Sequence, residues 1–149
     1  MTEEIGMRSN GKPKSITETQ LCNSVEQLKS SDNENAYHSL LEFEGDITSF
    51  LMIMYDQEND TAVKAQLIEI IYQRQQDSEV LRFLAQAVKQ NAPTVWKTAI
   101  DGIVSIGGNE ALTQLMVVQQ ECAAESLKTE WIIEAINQIK QIDKPNDLG

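Results

Sequence analysis

Residues able to do chemistry are scarce in this chain. There is one histidine, His38, in the string ENAYHSLLEF. A nucleophile–histidine–acid triad needs an imidazole held between a nucleophile and a carboxylate, and no such arrangement can be argued around His38. Cys22 and Cys122 lie far apart and form no CxxC pair. With a lone histidine they supply no zinc ligand set. Each falls in a helical pattern, so both read as buried free thiols, which fits a reducing compartment. Glu42 and Asp46 stand at i, i+4, a spacing that would align two carboxylates if one helix carried both. Gly45 interrupts that helix, and carboxylates so spaced are otherwise a solvated face. DQENDTAVKAQL opens like a calcium loop, but its twelfth position is Leu67 where a bidentate Glu is needed. There is no glycine-rich phosphate loop; Gly107-Gly108 reads better as a helix cap. The expectation is a protein without catalysis, cofactor or metal.

What stands out instead is charge. The 149-residue chain carries a net charge of −11. Phosphate binding needs clustered Lys and Arg, so direct nucleic-acid binding is not expected. The acids are unevenly spread: residues 1–60 hold 12 acids and 4 bases. No base occurs between Lys29 and Lys64, an interval that includes Asp32, Glu34, Glu42, Glu44, Asp46, Asp56, Glu58 and Asp60. Acids at this density keep a small protein soluble. They also suit a basic partner, because a negative face steers association and excludes wrong partners. Phe43, Ile47, Phe50, Met52, Met54 and Tyr55 interleave with them. Most must be core, but an exposed aromatic would anchor a contact, and Tyr55 beside Asp56 is the favoured anchor. The partner-binding set expected from sequence is therefore Glu42, Glu44, Asp46, Tyr55, Asp56, Glu58 and Asp60.

The elements that must hold these residues read as helices. Hydrophobic content is 41%, with aromatics only 5%, so an aliphatic core is expected. Residues 1–15 read as a flexible segment, 16–144 as one all-α domain of about seven helices, and 145–149 as a flexible tail. A first helix runs from Thr17, a possible cap, to Ser30, with Leu21, Val25 and Leu28 as its stripe. ENAYHSLLEF and DITSFLMIMY form two short helices, with Asp46 capping the second, or one kinked helix. Beyond Asp60 the 3.6-residue period sharpens. The expected buried faces are Val63, Leu67, Ile70 and Ile71; then Val80, Leu84, Ala87 and Val88, capped by Ser78. Trp96, Ala99, Ile100 and Ile103 follow, in a helix with Pro93 in its first turn. Leu112, Leu115 and Met116 come next, capped by Asn109, and last Ile132, Ala135, Ile136, Ile139 and Ile142. No signal peptide is visible, and the longest apolar run, Phe50–Tyr55, is too short to span a bilayer. A cytoplasmic protein is expected.

Three of these helices share a pattern. LIEII (67–71), AIDGI (99–103) and IIEAI (132–136) each read apolar, Ile, acid, any, Ile. The acids Glu69, Asp101 and Glu134 are spaced by 32 and then 33 residues. Helix–turn–helix units at this spacing indicate an α-solenoid. Asp101-Gly102 is then a repeat position and not a turn. Gly102 stands where the other units have Ile70 and Ala135, and its small size lets a neighbouring helix approach closely. Gly107-Gly108 supplies a left-handed cap for a sharp reversal. The repeat acids either hydrogen-bond N–H groups of an adjacent turn or are simply solvated.

Over residues 60–142 the pattern resembles HEAT-like repeats, with units shorter than the usual ~40 residues and no second helix in the third unit. Within it, Trp96–Leu115 resembles the central motif of small all-α immunity proteins of bacterial polymorphic-toxin and contact-dependent growth-inhibition systems. The matching positions are Trp96, Ala99, Asp101, Gly102, Ile103, Gly107, Gly108, Ala111 and Leu115. The resemblance implies a cytoplasmic protein that binds and neutralises one cognate toxin domain, a basic nuclease suiting the acidic surface. The alternative is a HEAT-like scaffold or adaptor for protein assembly.

Overall fold

Eight helices and no strand make up residues 16–143, the portion described by the computed structural model. Both terminal segments expected to be flexible, 1–15 and 145–149, lie outside the described residues. The protein is all-α, as its periodicity predicts. The chain divides into two compact units between Glu44 and Gly45, where the sequence reading drew one domain over 16–144.

The first unit pairs α1 (Ile16–Gln27) with α2 (Asn33–Glu42). The stripe Leu21, Val25 and Leu28 is buried as expected, as are Ala36 and Leu40 of α2. The helix already includes Ile16, so Thr17 sits inside the first turn and is not its cap. It ends at Gln27, and a turn over 28–30 is closed by the Ser30 N–H donating to the Gln27 carbonyl at 3.0 Å. Cys22 is half-buried, more accessible than expected for a buried thiol.

The second unit holds α3 (Thr48–Gln57), α4 (Thr61–Arg74), α5 (Ser78–Val88), α6 (Pro93–Ile106), α7 (Gly108–Glu121) and α8 (Ser126–Asp143). Two helices, not one kinked helix, therefore occupy 33–57, which brings the total to eight where about seven were expected. Gly45 adopts φ 109°, a left-handed conformation that breaks the helix. Glu42 and Asp46 consequently share no helix.

Helix starts are set by aspartates more often than the sequence suggested. Asp60 accepts from the Ala62 and Val63 N–H groups at 2.9 and 3.3 Å, and Asp77 accepts from Val80 N–H at 3.1 Å. Asp77, one residue ahead of the expected Ser78, is thus the cap of α5; the Ser78 hydroxyl donates instead to Glu110 of α7 at 2.6 Å. Asp46 accepts only a long bond from Thr48 N–H at 3.4 Å, the cap position being Ile47. Gly107, at φ 67°, ends α6 and starts α7 in one residue, which places Asn109 inside α7.

Within this unit α4 packs on α6 and α6 on α8, while α5 packs on α6 and α7. Helix α3 packs on α4, and α7 on α8. The predicted faces of α4, α5 and α6 are buried at every position named. Of the other predicted core residues, Leu112 is only half-buried, and two are exposed. Met116 is 49% exposed, because the buried face of α7 is Ala111, Leu115 and Val118 and Met116 lies a further 100° round the helix. Ile142 is 72% exposed: the eighteen-residue α8 outlasts the fourteen-residue helices it packs on. Lys128, which sequence would leave in solvent, is buried. Its ammonium donates to the Gln90 carbonyl at 2.9 Å and pairs with Glu125 at 3.2 Å.

Candidate functional site

The residues of the expected acidic set belong to two compact units. Glu42 and Glu44 belong to the first unit, and Asp46, Asp56, Glu58 and Asp60 to the second. All but the half-exposed Glu58 are exposed. Two of them do structural work: Asp60 caps α4, and Glu58 accepts from the Asp60 N–H at 3.0 Å. Both carboxylates thus have a role at the start of α4.

Tyr55 is not a surface anchor. It is 5% exposed, because it follows Thr48 by seven residues and Leu51 by four and so shares their buried face. Its ring meets Phe83 edge-on at 4.9 Å, and Lys64 Nζ lies 4.2 Å from its centroid. The hydroxyl is buried with no hydrogen-bond partner among the described residues. Burial, and then the charge of Asp56, push its pKa up to about 12. An orphaned hydroxyl costs about 1–3 kcal/mol of desolvation, so Tyr55→Phe is expected to raise stability by about 1 kcal/mol in urea unfolding. An unfolded tyrosine titrates near 10, so the native state keeps this proton longer. Stability is therefore lost as pH rises from about 10 through about 12, and Tyr55→Phe should flatten part of that fall.

A different surface gathers charge, an aromatic ring and a groove. Between α6 and α8 runs an open groove of about 280 Å³. Ile100, Val104 and Ala135 give it an aliphatic lining, Trp131 an indole, and Asp101, Glu130 and Glu134 three carboxylates. Trp131 is half-buried and stands edge-on to the buried Trp96, ring centroids 5.9 Å apart. Lys97 Nζ lies 4.9 Å from the Trp131 centroid and 5.8 Å from that of Trp96. The indole therefore already receives a cation. Desolvation raises the Asp101 carboxyl above the ordinary carboxylate range.

Two repeat acids, Asp101 and Glu134, thus line one groove. Neither hydrogen-bonds a turn N–H; Glu134 accepts only from Gln138 of its own helix, at 3.4 Å. Glu69 lies near enough to act on the same hydroxyl as Asp101: burial raises the Tyr72 pKa first, and both carboxylates add to it. Gly102 serves the close approach expected of it. A Cβ there would stand 2.5 Å from Cδ2 of Tyr72 on α4. Trp96 is core, and Gly107-Gly108 forms the positive-φ reversal.

Sequence reasoning missed Trp131, Glu130 and Lys97 as neighbours of the repeat acids. A signal existed for the first: Trp131 and Glu134 are three apart on one helix and so share a face. The pairing of that face with Asp101 needed the packing of α6 on α8.

The carboxylates and indole of the groove are groups able to receive a cation. Among the described residues no group of three His, Cys, Asp or Glu side chains is placed to hold a metal ion, and no helix is long and apolar enough to cross a membrane. Burial raises the Cys122 thiol, which disfavours the thiolate. The fold and site define an all-α protein with an acid-lined, indole-walled surface groove. No protein-family model matches the chain, and no match is found among curated proteins or solved structures.

Proposed function

We propose that this chain is a short HEAT-like α-solenoid that works by binding a basic protein. Its specific role is that of a cytoplasmic immunity protein holding one toxin domain inactive, without catalysis. The helix order supports the solenoid: α4, α6 and α8 pack in succession, α5 packs on α7, and the acids of the 32- and 33-residue repeat all sit on the first series.

The observation that carries the binding role is a set of carboxylates the fold does not use. Glu42, Glu44, Asp56, Asp101 and Glu130 make no hydrogen bond or ion pair among the described residues. At net charge −11 such acids repel one another. A basic partner relieves that repulsion and is steered by it, which raises association rate and specificity. The resemblance over Trp96–Leu115 supplies the toxin as the kind of partner.

The experiment is capture from the native host with the purified protein, read by mass spectrometry. The expected result is one basic toxin fragment, released by high salt. Recovery of a stable assembly of neutral or acidic proteins would replace the immunity role by that of an adaptor. Met116 and Val117, exposed side by side on α7, favour that second reading through an apolar contact. For the captured toxin, Asp56→Lys is expected to weaken binding about tenfold, mostly through the association rate. The melting temperature should stay unchanged, since Asp56 is exposed and makes no hydrogen bond or ion pair. Stopped-flow association at two salt concentrations checks this.

A further inference from the structure

The groove between α6 and α8 has three features that together select one kind of guest. Its walls are aliphatic, from Ile100, Val104 and Ala135, so a guest must carry an apolar stem. Its one aromatic is the accessible indole of Trp131, next to which a cation already rests. Its charged lining residues are all acids, Asp101, Glu130 and Glu134, against which Lys97 sets a single ammonium. At about 280 Å³ the space lies below the ~300–1,000 Å³ of pockets that enclose whole small-molecule ligands. It matches one long side chain entering from an open face.

We infer that this groove seats one arginine side chain of an extended basic segment on the partner. An arginine supplies an apolar stem, a plane that stacks on an indole, and a forked donor for carboxylates. Lysine supplies the stem and charge but neither the plane nor the fork. The inference rests on the protein-binding reading above and gives that reading a site. The guest stem lies along the half-buried Val104, the guanidinium lies against Trp131, and Asp101 and Glu134 receive its N–H donors from opposite helices.

The test uses the full chain and two probes, hexa-arginine and hexa-lysine peptides, at physiological salt so that long-range attraction is screened. The chain has two tryptophans, and only Trp131 is accessible, so fluorescence reports on the groove; amide NMR shifts locate the contact. Hexa-arginine is expected to bind several-fold tighter than hexa-lysine, shifting amides over 100–104 and 130–138. Asp101→Asn with Glu134→Gln is expected to weaken hexa-arginine about tenfold or more. Glu34→Gln with Glu79→Gln, the same change in net charge at exposed acids outside the groove, should leave it within about twofold. Equal binding of the two peptides, equal loss in the two double variants, or shifts spread over all exposed acids would overturn the inference, leaving net charge alone. Failure here is separable from failure of the functional reading. A captured basic toxin whose affinity ignores the groove variants would remove the groove and keep the function. A peptide seated in the groove with no basic partner in the host would do the reverse.

Discussion

Trp96→Ala should lower unfolding free energy by about 3–5 kcal/mol, the cost of a large core aromatic cut to a methyl. Trp96 is 4% exposed, on the face of α6 that also buries Ala99, Ile100 and Ile103. Its ring meets Trp131 of α8 edge-on, and Lys128 Nζ lies 5.6 Å from its centroid. Small domains have only about 5–15 kcal/mol of stability, so this loss is a large share of the whole. Urea unfolding followed by far-UV circular dichroism checks it, with a shifted midpoint and an unchanged slope as the expected form. Trp131→Ala, at the half-buried partner, should cost about 1–2 kcal/mol, in proportion to the smaller area it buries. A loss under about 1 kcal/mol for Trp96→Ala would mean that α6 and α8 do not pack through this ring pair.

The second large effect carries a change of sign. Gly102→Ala puts a Cβ 2.5 Å from Cδ2 of Tyr72 and 3.0 Å from its Cγ. The Cγ contact means the root of the ring, not its far end, must shift. Overpacking of this kind costs about 1–3 kcal/mol, and it outweighs the roughly 1 kcal/mol by which Ala is the better helix former. The net expectation is a loss of about 1–2 kcal/mol. In a Tyr72→Ala background the obstruction is gone. There Gly102→Ala should stabilise by up to about 1 kcal/mol, through helix propensity alone. The four proteins form a double-mutant cycle whose coupling isolates the Gly102–Tyr72 contact. The same sign in both backgrounds would show that Gly102 is not there for the ring of Tyr72.

The acidic surface shows how far sequence reasoning reaches. Asp60 and Glu58 read as partner-facing because charge density in a sequence carries no information about which carboxylates a helix start will consume. Tyr55 read as an anchor because it stands beside Asp56. Adjacent helical residues point 100° apart, and once Thr48 and Leu51 face inward Tyr55 must follow them. Met116 shares helical spacing with Leu112, but the buried face of α7 runs through Ala111, Leu115 and Val118 and leaves Met116 outside it.

Helical periodicity, glycine and proline placement, and the repeat of Glu69, Asp101 and Glu134 were all determined by the chain itself. These are local properties, set by residues three and four apart on one helix, and α4, α5 and α6 bury every position so predicted. Even the purpose of Gly102 was legible, since only a close approach justifies glycine within a helix. What only the tertiary structure decided is which faces meet. The partner of Gly102 is Tyr72, thirty residues earlier. The groove exists because α8 lies on α6, bringing Trp131 and Glu134 to Asp101. Such neighbours are separated by about one repeat of chain, and their meeting depends on packing between whole helices. No periodicity within a single helix encodes that choice.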